Sequence, residues 1–88
     1  MSVKLSMPVG DRFRELAVDA AAKYAELSGC AAPAVAEMAV TVAAELGARA
    51  AVAAPESNLT LDFHSGPKQV DIIIDGSGPP VTVHCAVP

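Results

Sequence analysis

The chain has 88 residues, 52% of them hydrophobic but with only two phenylalanines and one tyrosine, and a formal net charge of −4 at pH 7. That length sets a single domain that buries only about 60–65% of its unfolded surface, so a protein partner or self-association is expected to add stability. Ten acidic residues against six basic ones, with no basic cluster, argue against nucleic acid as the main partner.

The longest apolar run is interrupted by Glu45 and Arg49 and broken at Pro55, which argues against a membrane span. The amino terminus lacks the charged-then-apolar layout of a secretory signal, and a cytoplasmic location is expected. Cys30 and Cys85 fit no metal-ligand or thioredoxin-like spacing. They are expected to be free thiols, with a Cys30–Cys85 disulfide as the alternative.

In chain order, a short strand in "VKLSM" is the first candidate element. Phe13, Leu16, Ala17, Ala20, Tyr24 and Leu27 then recur at three- and four-residue steps, predicting an amphipathic helix over about 11–28. Asp11 suits its N-cap, and Gly29 stands where a left-handed C-terminal cap wants glycine. A second helix opens at Pro33 and runs to about Ala53, or ends at Gly47, with Pro55 as its stop. Its apolar face is Val35, Met38, Ala39, Val42 and Leu46, while Glu37, Thr41, Glu45 and Arg49 step along the other side.

Beyond "PESN" the period changes to two. Leu59, Leu61 and Phe63 alternate with Thr60, Asp62 and His64 in a strand over about 58–64. "SGPK" and "DGSGPP" read as turns around a second strand over 69–75, and Val81, Val83, Cys85 and Val87 alternate in a third over 80–87. The fold class is α+β: two N-terminal helices packed on an antiparallel three- to four-stranded sheet, as a two-layer sandwich.

Several constellations invite a chemical reading. His64 and His84 lie on polar strand faces with Asp62, Asp71 and Asp75 nearby, a set that can bind zinc if the strands align, although solvent-facing polarity explains the same pattern. The serines sit in no nucleophile elbow, and neither cysteine has a histidine near it in sequence. The alanines at 31–36 and 48–54 suggest a flat apolar surface for a partner helix or a second copy.

The order of elements resembles the first part of the histidine-kinase-like ATPase fold, particularly the bacterial anti-sigma-factor serine kinases. The family's first-helix pattern, "R..a..aA..aGl", is matched by "DRFRELAVDAAAKYAELSGC". Its second helix, "lAv.Ea..N...", is matched by "MAVTVAAELGARA", and its strands and D-x-G turn by "LTLDFHSGPKQVDIIIDGSGPP". The likeness runs from about Pro8 to Pro80. It implies a glutamate base at Glu45, a magnesium ligand four residues later, and adenine contacts from an aspartate and glycine near Asp75, Gly76 and Gly78. ATP and magnesium would then be the cofactors.

The sequence departs from the family at each of these points. Arg49 occupies the asparagine position, and a guanidinium has no acceptor for a metal, although it suits phosphate oxygens. Asp75 and Gly78 are spaced one residue too far apart for D-x-G, and a glycine–proline turn explains the same letters. No second glycine-rich segment follows within the chain, nor any GxxxxGK[ST] loop. Glu45 and Arg49 also have the favoured orientation of a helical ion pair, worth only about 0.3–0.5 kcal/mol. The expectation is a small regulatory protein-interaction domain without phosphoryl transfer. The alternative is an ATP-binding regulator that uses Glu45 and Asp75, and a weaker one is a small metal-binding domain.

Overall fold

In chain order the elements are β1 (Ser2–Pro8), α1 (Asp11–Leu27), α2 (Ala32–Val52), β2 (Asn58–Ser65), β3 (Gln69–Asp75) and β4 (Val81–Ala86). The structure, a computed structural model, describes residues 2–54 and 56–88, with the side chain of Asp11 outside the description. The stop expected at Pro55 therefore lies outside the described residues.

All four strands form one antiparallel sheet in the order β1-β2-β3-β4. The two helices lie on one of its faces, giving an α+β two-layer fold. Register and alternation assign the faces. Leu5 pairs with Leu61, Leu61 with Ile74, and Ile74 with Val81, in a row that faces the helices. Lys4, Asp62, Ile73 and Thr82 form the neighbouring row on the open face. A one-residue slip would exchange the two faces, so the buried aliphatic residues of β2 and β3 hold the register.

The core is assembled unequally. The sheet contributes Leu59, Leu61, Phe63, Val70, Ile72 and Ile74, while α2 contributes Val35, Met38, Val42 and Leu46. From α1, the buried hydrophobic side chains are all alanine: Ala17, Ala21 and Ala25. The stripe expected for α1 is thus rotated from the observed one. Phe13, Leu16 and Leu27 are 40%, 58% and 81% exposed, because the small side chains, and not the large ones, turn toward the sheet and allow close approach. Tyr24 keeps a core-facing position, its ring centroid 5.2 Å from that of Phe63.

Helix ends follow local chemistry. Gly10, with extended backbone, is the N-cap of α1 and Asp11 is the first helical residue, so the cap lies one residue earlier than the expected Asp11. At the other end Cys30 N–H donates to Ala25 O at 3.0 Å and Gly29 N–H to Glu26 O at 3.1 Å. Gly29 has φ 101°, the left-handed conformation that such a cap requires. In α2, Pro33 stands in the first turn, and the helix continues through Gly47 to Val52.

Cys30 and Cys85 are both free and buried. The Cys30 thiol lies 3.7 Å from the Cys85 carbonyl oxygen. Burial, followed by the neighbouring Cys85 side chain, pushes the Cys30 pKa from 9.0 up to about 11. The folded protein therefore holds this proton more tightly than the unfolded chain. The stability linked to it is intact below pH 9.0 and falls as pH rises toward about 11. Melting curves across this range should show wild type losing more stability than Cys30→Ala. Alkylation of Cys30 at pH 8 should be slow in the native protein and fast in denaturant; equal rates would show that the thiol is not protected.

Candidate functional site

The end of α2 brings Glu45 and Arg49 one turn apart on one side of the helix. Arg49 is nevertheless 5% exposed, where a surface ion pair would leave it open to water. Its Nε donates to Glu45 Oε1 at 2.9 Å, so the expected helical pair is present. The rest of the guanidinium reaches across to the β3–β4 turn. Nη1 donates to Gly76 O at 2.7 Å and more weakly to Gly78 O at 3.5 Å, and Nη2 donates to Pro79 O. A buried cation without such partners would be strongly unfavourable. Here one carboxylate and three carbonyl oxygens surround it. Among the described residues, no buried side-chain nitrogen or oxygen lacks a hydrogen-bond partner.

The turn is shaped to offer those carbonyls. Gly76, Ser77 and Gly78 have φ of 110°, 57° and 150°, three successive residues outside the usual L-residue regions. Gly76 is doubly constrained, since an added Cβ would lie 2.9 Å from Asn58 O and 3.2 Å from Leu59 Cδ2. At Gly78 the nearest atom to an added Cβ would be Arg49 Nη1 at 3.8 Å, an ordinary contact.

Asp75 does not join this group. It continues the alternation of Asp71 and Ile73 on the open face, is exposed, and its Oδ1 accepts the Gly76 N–H at 2.8 Å. The structure thus gathers Glu45, Arg49, Gly76 and Gly78 and turns Asp75 to the opposite side of the sheet. The Pro79 carbonyl is a member that sequence reading missed; the only signal for it is a lone arginine in the last turn of an apolar helix.

The histidines are arranged in a row but not as a centre. His64 pairs with Asp71 and Asp71 with His84 across three strands. However, His84 Nδ1 donates to Asp71 Oδ1 at 2.6 Å, while His64 Nε2 lies 3.4 Å from Asp62 Oδ1. Among the described residues no three His, Cys, Asp or Glu side chains converge to hold a metal ion. Two surface grooves lie elsewhere, one between α1 and α2 at Val18 and Ala43, the other between α2 and β4 at Glu37, Thr41 and His84. Neither is lined by Glu45, Arg49 or Asp75. The alanine segments at 31–36 and 48–54 fall toward opposite ends of α2, their midpoints about 26 Å apart by helical rise, with exposed Val40 between them. No helix among the described residues is long and apolar enough to cross a membrane.

No protein-family model and no curated protein matches the chain. The likeness to anti-sigma-factor serine kinases accordingly rests on the order of elements and the motifs quoted above.

Arg49→Ala should lower stability by about 2 kcal/mol, because it strips three turn carbonyls and Glu45 of their donor. For a domain of this size that is a fall in melting temperature on the order of 10 °C. Arg49→Lys should recover only part of the loss, since an ammonium cannot span the same fork. Gly76→Ala should cost roughly 2–3 kcal/mol and Gly78→Ala only about 1 kcal/mol, the difference reflecting the Asn58 carbonyl. Chemical denaturation of the four variants measures these losses, and equal values for the two glycines would contradict the turn geometry.

Proposed function

We propose that the chain is a small regulatory protein-interaction domain that shares the architecture of the anti-sigma-factor serine kinases without their phosphoryl transfer. The observation that carries this reading is the state of Arg49. It stands where the resemblance puts the magnesium ligand, it is buried, and its donors are spent on the chain's own carbonyls. A metal ion brought to that point would meet a fixed positive charge, and position 49 would offer it no acceptor. Glu45, the position given to the general base, is held by the same guanidinium. The aspartate expected to meet adenine lies on the other face of the sheet. What then supports an interaction role is the accessible surface, where Phe13, Leu16 and Leu27 of α1 are exposed.

Thermal denaturation with millimolar ATP and magnesium tests the reading. No change in melting temperature is expected. A ligand at a hundred times its dissociation constant adds about 2.7 kcal/mol, which in this size class raises the melting temperature by about 10 °C or more. A rise of that size in wild type, abolished by Glu45→Ala or Asp75→Ala, would overturn the proposal in favour of the nucleotide-binding regulator.

A further inference from the structure

α2 lies along β4 in the opposite direction, and the two elements are held at both ends. At one end Arg49, in the last turn of α2, reaches the Gly76 and Pro79 carbonyls that precede β4. At the other end Ala34, Glu37 and Met38, in the first turns of α2, lie beside the last residues of β4. The chain's two cysteines meet at this second end. Cys30 stands just before α2, in the connection from α1, and Cys85 is near the end of β4.

Cys85 shares the alternation of Val83, so its side chain enters the layer between helices and sheet, where it is 3% exposed, and Cys30 is 9% exposed. Cys30 Sγ lies 3.7 Å from Cys85 O, and the two thiols are within hydrogen-bonding reach of each other. A neighbouring contact keeps the same two segments together: a Cβ built on Gly29 would lie 3.4 Å from Val87 Cγ1. Val87 N–H donates to Lys68 O at 2.8 Å, which ties the end of the edge strand to the sheet.

We propose that Cys30 and Cys85 form a reversible redox site, which low-molecular-weight disulfides of the glutathione class convert to an intramolecular disulfide that staples the α1–α2 connection to β4. One cysteine, as thiolate, attacks a sulfur of the small disulfide. A mixed disulfide forms, and one small thiolate leaves and takes up the first proton. The other cysteine, as thiolate, attacks the protein sulfur of the mixed disulfide. The protein disulfide forms, and the second small thiolate leaves and takes up the second proton. The cysteines lose two electrons and two protons, and one small disulfide becomes two thiols.

Burial slows this exchange in the folded protein, so it proceeds through chains that are opened or still folding, and the native packing selects the product. The bond joins residues 55 positions apart. Closing so long a loop restricts the unfolded chain heavily, while the folded chain already holds the pair together. The site uses neither Glu45 nor Arg49 and does not depend on the function proposed above. An ATP response would leave it standing, and its failure would leave that function standing.

Refolding the full chain from denaturant in oxidised glutathione, with a trace of reduced glutathione, tests the inference. The main product should be a single chain two hydrogens lighter than the reduced protein. Both cysteines should resist alkylation in denaturant until dithiothreitol is added. This form should melt on the order of 10 °C above the reduced protein, and dithiothreitol should abolish the gain. The ratio of intramolecular to mixed disulfide should be more than about tenfold higher after folding than in denaturant. Cys85→Ala should take up one glutathione at Cys30 and show no gain. A main product that carries glutathione, or one that links two chains, overturns the proposal. So does an intramolecular disulfide that melts at or below the reduced protein.

Discussion

The close approach of α1 to the sheet is the constraint from which the rest of the packing follows. Ala17, Ala21 and Ala25 are fully buried and carry no bulk, so the helix settles against side chains that the sheet itself supplies. Leu59, Leu61, Phe63, Ile72 and Ile74 fill the layer. A larger residue at any of the three alanines would force the helix away from a close-packed surface. The same arrangement leaves no room on that side for Phe13, Leu16 or Leu27. They remain exposed on the outer side of α1.

At the far end of α2 a different balance holds. Burying a guanidinium removes it from water, and only a full set of acceptors offsets that loss. Glu45 supplies a charge from one turn back, and the β3–β4 turn supplies carbonyl oxygens. The last turn of a helix is already favourable for a cation because its terminal carbonyls carry partial negative charge. The turn's own carbonyls extend that environment, and they do so only because Gly76, Ser77 and Gly78 accept positive φ. Helix end and hairpin are thus fixed to each other by one side chain.

Much of this was legible in the sequence where the signal was periodic. The alternation in "LTLDFH" and "VDIIID" marked both central strands and their buried faces, and Gly29 marked the end of α1 through the one conformation its cap demands. The α1 stripe was misread for a physical reason. Periodicity weights large apolar residues, and here the larger residues formed a stripe of their own next to a buried stripe of alanines. Asp11 drew the N-cap away from Gly10 because side-chain chemistry outranks glycine in capping preference. At the site, Glu45 and Arg49 were found by spacing, but their burial was not. A four-residue step says which side chains share a face of the helix, and not whether that face meets solvent or a distant turn. The separation of Asp75 from Glu45 follows from strand parity, which was readable: Ile72 and Ile74 face the core, so Asp75 cannot.

On the proposed reading, the two ends of the molecule are connected by a single physical logic. An open polar cleft suits an enzyme because water and charged ligands can enter it. A chain that no longer admits a ligand there gains stability by satisfying the same polar groups internally, and Arg49 does so with partners drawn from its own helix and hairpin. In a small domain with a thin core, such an internal tie matters more than it would in a large one. It leaves the helix–hairpin end rigid and unavailable. The surfaces left for the proposed recognition of another protein are then the exposed apolar side chains of the two helices and the unpaired edges of β1 and β4.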